Sequence, residues 1–346
     1  MAVTIKDIAE ELGVSTATVS NVIHGKTKKI SKETVRRVQA LLEERQYIPN
    51  MAALLLAQNS SKIICLVISA HEKYEDKLLQ DPFITSLLDH LATEIESSGY
   101  FMMIKRTKDI NEVIRYASMW NMAGLVITGF CSSQDYDELR RNIRIPFVVM
   151  DGGFKPHSQC VNIGIDNADG GYQVGQYLIK MGHRDVLYVA DNDMDMDHER
   201  YMGLRKAYEE TSEDLEGFTY RIQFRKIALT SQERSANYGE ILKEIQSENH
   251  KISAIFCASD VYAIELMNHL LDHHIQIPEE ISIVGFDDIP AATLVRPKLT
   301  TVRQNIKQRA EEAMRFLSSD TAQGKSIMLE VELVKRESVS YREAKN

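Results

Sequence analysis

Residues 4–59 read TIKDIAEELGVSTATVSNVIHGKTKKISKETVRRVQALLEERQYIPNMAALLLAQN. Three short helical patterns open this stretch. Thr4 is placed to cap the first, Ile5, Ile8, Ala9 and Leu12 share one face, and Gly13 ends it. Ser15 is placed to cap the second, in which Val19, Val22 and Ile23 recur at helical spacing up to Gly25. Ile30 and Ser31 open the third as a staple-and-cap pair, with Val35, Val38, Leu41 and Leu42 facing inward. Two helices joined by a Gly-containing turn predict a helix-turn-helix. The outer face of the second carries Thr16, Ala17, Ser20 and Asn21, short side chains that let a helix sit deep in a major groove. Asn can pair with adenine, and Thr or Ala can meet a thymine methyl. On helix pattern alone, a plain three-helix bundle with a Ser/Thr-rich face is the alternative.

Charge is unevenly divided. Residues 1–62 hold nine Lys/Arg and six Asp/Glu, a surplus of three, so a net charge of −9 leaves −12 on the remainder. A basic head on an acidic body suggests a polyanionic partner for the head. The length of 346 residues suits two or three domains. Cys65, Cys131, Cys160 and Cys257 form no CxxC pair and no Cys/His cluster, so they read as reduced packing residues, with no zinc site. No basic and apolar leader and no long apolar span is present, so a cytoplasmic protein without membrane contact is expected.

At residue level the head resembles the DNA-binding head of the lactose repressor (LacI/GalR) family. The matching parts are Thr4-Ile5-x-Asp7-Ile8-Ala9, Gly13-Val14-Ser15-x-x-Thr18-Val19-Ser20, and Tyr47-x-Pro49-Asn50 before a short apolar stretch. The resemblance implies that Thr16, Ala17 and Asn21 read bases, while Thr4, Ser15, Thr18, Ser20 and His24 lie against the DNA backbone. It also implies a hinge helix over Asn50–Ala57, with Leu56 as the apolar wedge of the minor groove. The chain departs from the family's Ala-Arg-x-Leu hinge pattern, because Leu54 stands at the usual Arg and Ala57 follows the wedge. An uncharged hinge implies weaker minor-groove electrostatics.

Beyond residue 60 short apolar runs alternate with helical patterns. Strands are predicted at 63–69, 100–105, 124–128, 146–150, 186–190, 253–257 and 281–286, and helices at 83–98, 167–181, 231–247 and 260–273. Such alternation predicts parallel sheets with crossover helices. No G-x-G-x-x-G follows a strand, and G-x-x-x-x-G-K-[ST], G-x-S-x-G and H-E-x-x-H are absent, so no catalytic constellation supports an enzyme and no cofactor is expected. The acidic stretch Asp191–Asp197 lacks the Gly and terminal Glu of a calcium loop and reads as a solvated loop beside a cleft.

The family resemblance continues through Asp81-Pro82-Phe83, Ile165-Asp166-Asn167, Arg200-x-x-Gly203, Ser259-Asp260-x-x-Ala263, Val284-Gly285-Phe286-Asp287-Asp288 and Leu299-Thr300-Thr301. It implies an all-α helix-turn-helix head plus an α/β periplasmic-binding-protein-like core of two doubly wound parallel-sheet subdomains. The expected boundaries are 1–48 for the head and 49–60 for the hinge. One subdomain is set at 61–161 with 291–323, the other at 162–290 with 324–340. Arg200 and Asp260 are the expected effector-binding pair, a fork of donors facing a two-oxygen acceptor. Asp166 and Phe83 stand behind them, and His71 and Tyr74 in the 69–82 loop are read as solvated. A transcriptional repressor follows, working as a homodimer on a pseudo-palindromic operator and controlled by a small ligand, a sugar or sugar derivative. The tail SYREAKN has no heptads, hence a dimer rather than a tetramer. Two alternatives stay open: a corepressor-dependent regulator using a purine or a phosphorylated carrier protein, and, more remotely, a sugar-binding transport component.

Overall fold

The computed structural model describes residues 3–48, 61–70, 77–129, 132–152, 161–215, 217–247, 251–319 and 326–343. They form two compact units, Met1–Ser61 and Lys62–Asn346.

The first unit contains α1 (Ile5–Leu12), α2 (Thr16–Ile23) and α3 (Lys32–Glu44). Its core is Ile8 and Ala9 from α1, Val19 and Val22 from α2, and Val38 and Leu41 from α3. Each helix starts on a hydroxyl cap that satisfies a backbone N–H left unpaired at a helix start. The Asp7 N–H donates to Thr4 Oγ1, while the Asp7 carboxylate accepts the Thr4 N–H at 2.8 Å, a complete capping box. Gly13 ends α1 at φ +66°, left-handed backbone that glycine adopts without strain. Arg37 of α3 donates to the Leu12 carbonyl, and Arg45 pairs with Glu11 at 2.7 Å, so α3 is tied to α1. Ser15 Oγ accepts the Thr18 N–H at 3.1 Å at the start of α2. Ser15→Ala is expected to cost about 1 kcal/mol, read calorimetrically as a lower melting transition of the head.

The second unit contains two six-stranded sheets. In the first, β1 (Ile63–Ile68), β2 (Phe101–Arg106), β3 (Gly124–Thr128), β4 (Phe147–Met150), β5 (Asn162–Ile165) and β11 (Ile327–Leu329) lie in the order β2-β1-β3-β4-β5-β11. All neighbours are parallel. The second sheet holds β6 (Asp185–Ala190), β7 (Arg221–Lys226), β8 (Ala254–Cys257), β9 (Ser282–Asp287), β10 (Thr300–Gln304) and β12 (Val331–Val334). Their order is β7-β6-β8-β9-β10-β12, parallel except for β12 against β10. Central strands such as β3 (GLVIT) and β8 (AIFC) are buried along their whole length, as parallel strands covered on both faces must be. Alternate β1 residues divide between two cores: Cys65 and Val67 meet Val113 of α5 (Ile110–Met119) and Leu139 of α6 (Ser133–Asn142). Ile64, Leu66 and Ile68 face the core shared with Leu87 and Leu91 of α4 (Pro82–Ser97) and Ala313 of α11 (Ile306–Ser318). Around the second sheet run α7 (Asn167–Lys180), α8 (Asp195–Asp214), α9 (Ser231–Ile245) and α10 (Asp260–Asp272).

The strand pairing corrects the expected subdomain boundaries. β5 belongs to the first sheet, so the first crossing follows Ile165 rather than 161. β10 belongs to the second sheet, so the next crossing follows Gln304 rather than 290. β11 and β12 lie in different sheets with only Glu330 between them, so the last crossing is there rather than at 323. The reason is local: NIGI and TTVRQ are short or polar strands whose partners are remote in sequence, and apolar periodicity does not mark them. The expected hinge, 49–60, lies outside the described residues.

Candidate functional site

The head presents one reading face. Thr16, Ala17 and Asn21 are exposed on α2, while Val19 and Val22 are buried on its other side. Thr18, Ser20 and His24 are partly buried beside them, and Ser15 and Thr4 sit at helix starts. The hydroxyls of Ser15 and Thr18 are 2.9 Å apart, so the groups expected at the DNA backbone also shape the helix entry. Leu56 and Leu54 lie outside the described residues.

In each sheet the first strand to enter, β1 or β6, has the second on one side and the third on the other. This reversal opens a crevice at the carboxyl ends of the strands. There a cleft of about 730 Å³ is walled by residues that follow strands of both sheets, among them Ser69, Gly129 and Asp151 from the first and Asp191, Ser259 and Asp287 from the second. That volume suits a small-molecule site.

Arg200 lines the cleft from α8 and is buried. Its guanidinium lies over the Phe286 ring at 3.7 Å, Nε donates to Asn167 Oδ1 at 2.9 Å, and an Nη donates to the Ala258 carbonyl at 2.5 Å. The side chain is thus pre-oriented. Phe83 also lines the cleft, its ring 5.7 Å from the Arg309 guanidinium. Asp287, the last residue of β9, lines it too, and Oδ1 accepts from Gln304 at 2.6 Å. Burial pushes the Asp287 carboxyl up to about 7, with the Arg200 charge pulling the other way. Gln304 in turn accepts from Arg309, which pairs with Asp151, so a polar chain joins the end of β9 to the end of β4.

A scan of protein families matches residues 4–50 to bacterial regulatory proteins of the lacI family, and residues 176–339 to the periplasmic binding protein-like domain. The chain is 27% identical to the HTH-type transcriptional regulator MalR of Clostridium butyricum, over 96% of this chain and 98% of that one. It is 29% identical to the HTH-type transcriptional repressor PurR of Pectobacterium carotovorum subsp. carotovorum (strain PC1), over 91% and 89%. Among solved structures, the lac repressor dimer bound to operator and the anti-inducer ONPF superposes with a TM-score of 0.81 at 20% identity, over 98% of this chain and all of that one. The CelR–cellobiose complex gives 0.67 at 24%, over 97% and 99%. The chain carries a LacI-family helix-turn-helix domain and a periplasmic-binding-protein-like domain.

It is a DNA-binding transcriptional regulator with a ligand-binding core, and its fold is the helix-turn-helix head and two-subdomain α/β core that the resemblance implied. Two expected effector contacts need correction. Asp260 does not line the cleft: it is fully buried, accepting from the Thr301 hydroxyl at 2.5 Å and the Ile289 N–H at 2.9 Å. Burial pushes its carboxyl up to about 7 as well, against those two hydrogen bonds. Asp166 is exposed and spends its carboxylate on the Asp169 N–H as the cap of α7. Of the two acids Asp260 and Asp287, it is Asp287 that lines the cleft, at the end of the apolar strand in Gly285-Phe286-Asp287-Asp288. Only strand order tells which of two such acids faces the ligand space. Asp191–Asp197 is less solvated than expected: Asp191 is buried against the Tyr262 hydroxyl at 2.8 Å and lines the cleft. His71 and Tyr74 lie outside the described residues. Among the described residues no helix is long and apolar enough to cross a membrane, and no group of three His, Cys, Asp or Glu is placed to hold a metal ion.

Proposed function

We propose that the protein is a repressor that binds a pseudo-palindromic operator as a homodimer and is controlled by a sugar-class effector in the strand-end cleft. The observation that carries this is the cleft itself. It draws its walls from both subdomains, which are joined by only three crossings, so a ligand gripping both walls favours one relative arrangement. The CelR structure named for its cellobiose complex supports a carbohydrate in such a fold. For the homodimer, edge strand β2 exposes Phe101 and Ile104, and Leu294 is 75% exposed, apolar surface that a partner copy would cover.

In this reading Thr16, Ala17 and Asn21 meet base edges, Thr4, Ser15, Thr18, Ser20 and His24 the DNA backbone, and Leu56 the minor groove. Asn21→Ala is expected to relax specificity at one base step by about 1–3 kcal/mol, measured as affinity across single-base operator variants. A uniform loss over all variants would remove the base-reading role. Arg200, Phe83 and Asp287 meet the effector. An ionised carboxylate accepts hydroxyl hydrogen bonds that a protonated one partly refuses, and Asp287 titrates near 7. Effector affinity should therefore be flat above pH 7 and fall up to about tenfold per unit below it. Calorimetric titration across pH 5.5–8.5 checks this, and an affinity that rises on acidification contradicts it. The function is tested by anisotropy titration onto DNA upstream of the protein's own gene, with and without sugars. Specific binding that a sugar weakens supports the repressor. Specific binding that no sugar alters removes sugar control.

A further inference from the structure

Arg309 of α11 is fully buried, and the side chains it holds line the cleft. One Nη donates to Gln304 Oε1 at 2.8 Å, and the other pairs with Asp151. Gln304 is buried too, and its Nε2 donates to Asp287 Oδ1 at 2.6 Å. On the effector reading above, we infer that Arg309 is a positioning residue of the site. It fixes which end of the Gln304 amide faces Asp287, and so sets the protonation state in which Asp287 meets the effector.

The chemistry of the three groups allows one orientation. A guanidinium has donors only, and an ionised carboxylate has acceptors only. An amide held between them must turn its oxygen to the arginine and its N–H to the acid. The donated N–H favours the ionised carboxylate. Without the guanidinium the amide is free to turn over. The reversed amide offers Asp287 an acceptor, which only a protonated carboxyl can use. Arg309 therefore lowers the proton affinity of an acid two hydrogen bonds away. Arg309 and Asp151 belong to the first subdomain, Gln304 and Asp287 to the second, so the charge of one wall answers to a residue of the other.

The surroundings of Asp287 make it sensitive to such control. Burial pushes its carboxyl up to about 7. Arg200 of α8 favours the ionised form, while Asp260 of α10 and Asp81 ahead of α4 oppose it. The neighbouring Asp288 is paired with Arg303 and Arg336. An acid balanced near neutrality changes its charge for a small change in hydrogen bonding.

The test is calorimetric titration of the full-length protein across pH 5.5–8.5 at one salt, with cellobiose, maltose, glucose and ribose. A sugar that binds is then titrated into Gln304→Met, into Arg309→Met/Asp151→Asn, and into the variant carrying all three changes. The ion pair is replaced as a unit because either partner alone would be left as a buried unpaired charge. The pH midpoint of effector affinity is expected to rise by about half a unit or more in Gln304→Met and in Arg309→Met/Asp151→Asn. The triple variant should move no further than Gln304→Met. A lost wall contact or a looser fold lowers affinity at every pH and leaves the midpoint in place. The parent midpoint in Arg309→Met/Asp151→Asn overturns the inference and leaves the effector reading intact, as does an additive shift in the triple variant. Should the pair variant not fold, Arg309→Lys replaces it, keeping the charge beside Asp151 without the two-armed fork. It too should raise the midpoint, and the parent midpoint there overturns the inference. An affinity that is flat with pH in the parent protein, or binding of none of the four sugars, overturns the effector reading itself, and the inference with it.

Discussion

Gly171→Ala is expected to destabilise the core by about 2–3 kcal/mol and to weaken effector binding at the same time. Gly171 of α7 faces the backbone of α8, and an added Cβ would stand 2.0 Å from the Arg200 carbonyl oxygen. Gly203 returns the contact, since a Cβ there would stand 1.9 Å from the Ala168 carbonyl oxygen. These are backbone atoms, which cannot swing aside as a side chain can. Alanine is the better helix former by about 1 kcal/mol, but overpacking against backbone, at about 3–4 kcal/mol the upper end of such costs, outweighs it. At about 2–4 °C per kcal/mol the melting temperature should drop by roughly 5–10 °C. Moving α8 also moves Arg200, the anchored donor of the cleft. Gly239→Ala in α9 is the control: no atom lies within 4 Å of its added Cβ, so helix propensity alone acts and stability should rise slightly. Equal melting temperatures for Gly171→Ala and the parent protein would refute the close-packed helix pair.

Asp287 and Asp260 should separate cleanly, ligand response from stability. Asp287→Asn keeps the shape and an acceptor for Gln304 but loses the charge. Charge-assisted hydrogen bonds contribute about 1.5–3 kcal/mol, so effector affinity should fall by about 10–100-fold. Because burial already disfavours the ionised Asp287 carboxylate, stability near pH 8 should hold or rise. Asp260→Ala acts in the opposite sense. It leaves the Thr301 hydroxyl and the Ile289 N–H without an acceptor in the interior, at about 2–3 kcal/mol. Thermal melts and effector titrations on both variants check this. A stable Asp260→Ala protein that no longer answers to effector would return Asp260 to the ligand.

The head was legible because its signals are local. Thr4, Ser15 and Ser31 cap helices within three residues, Gly13 ends one, and the apolar positions repeat inside each helix. The central strands were legible for the same reason, as continuous apolar runs. The edge strand β7 (RIQFRK) and the crossing strands were not, since pairing with remote partners rather than their own composition makes them strands. At the cleft, Arg200 and Phe83 could be named from the sequence, yet Asp287 could not be chosen over Asp260. Asp260 and Asp287 each stand just beyond an apolar run, and which one turns inward depends on Thr301, forty-one residues further along than Asp260. The hydrogen bonds that commit Arg234 to Glu265 are likewise invisible in sequence.

The most direct measurement is fluorescence anisotropy of the upstream DNA at fixed salt, with the full-length protein and Asp287→Asn, each with and without a panel of sugars. The account predicts tight specific binding by both proteins, altered by a sugar in the parent protein and much less in Asp287→Asn. A variant that binds DNA and answers to the same sugar at the same concentration would contradict it, because the strand-end cleft would then not be where the regulator senses its ligand.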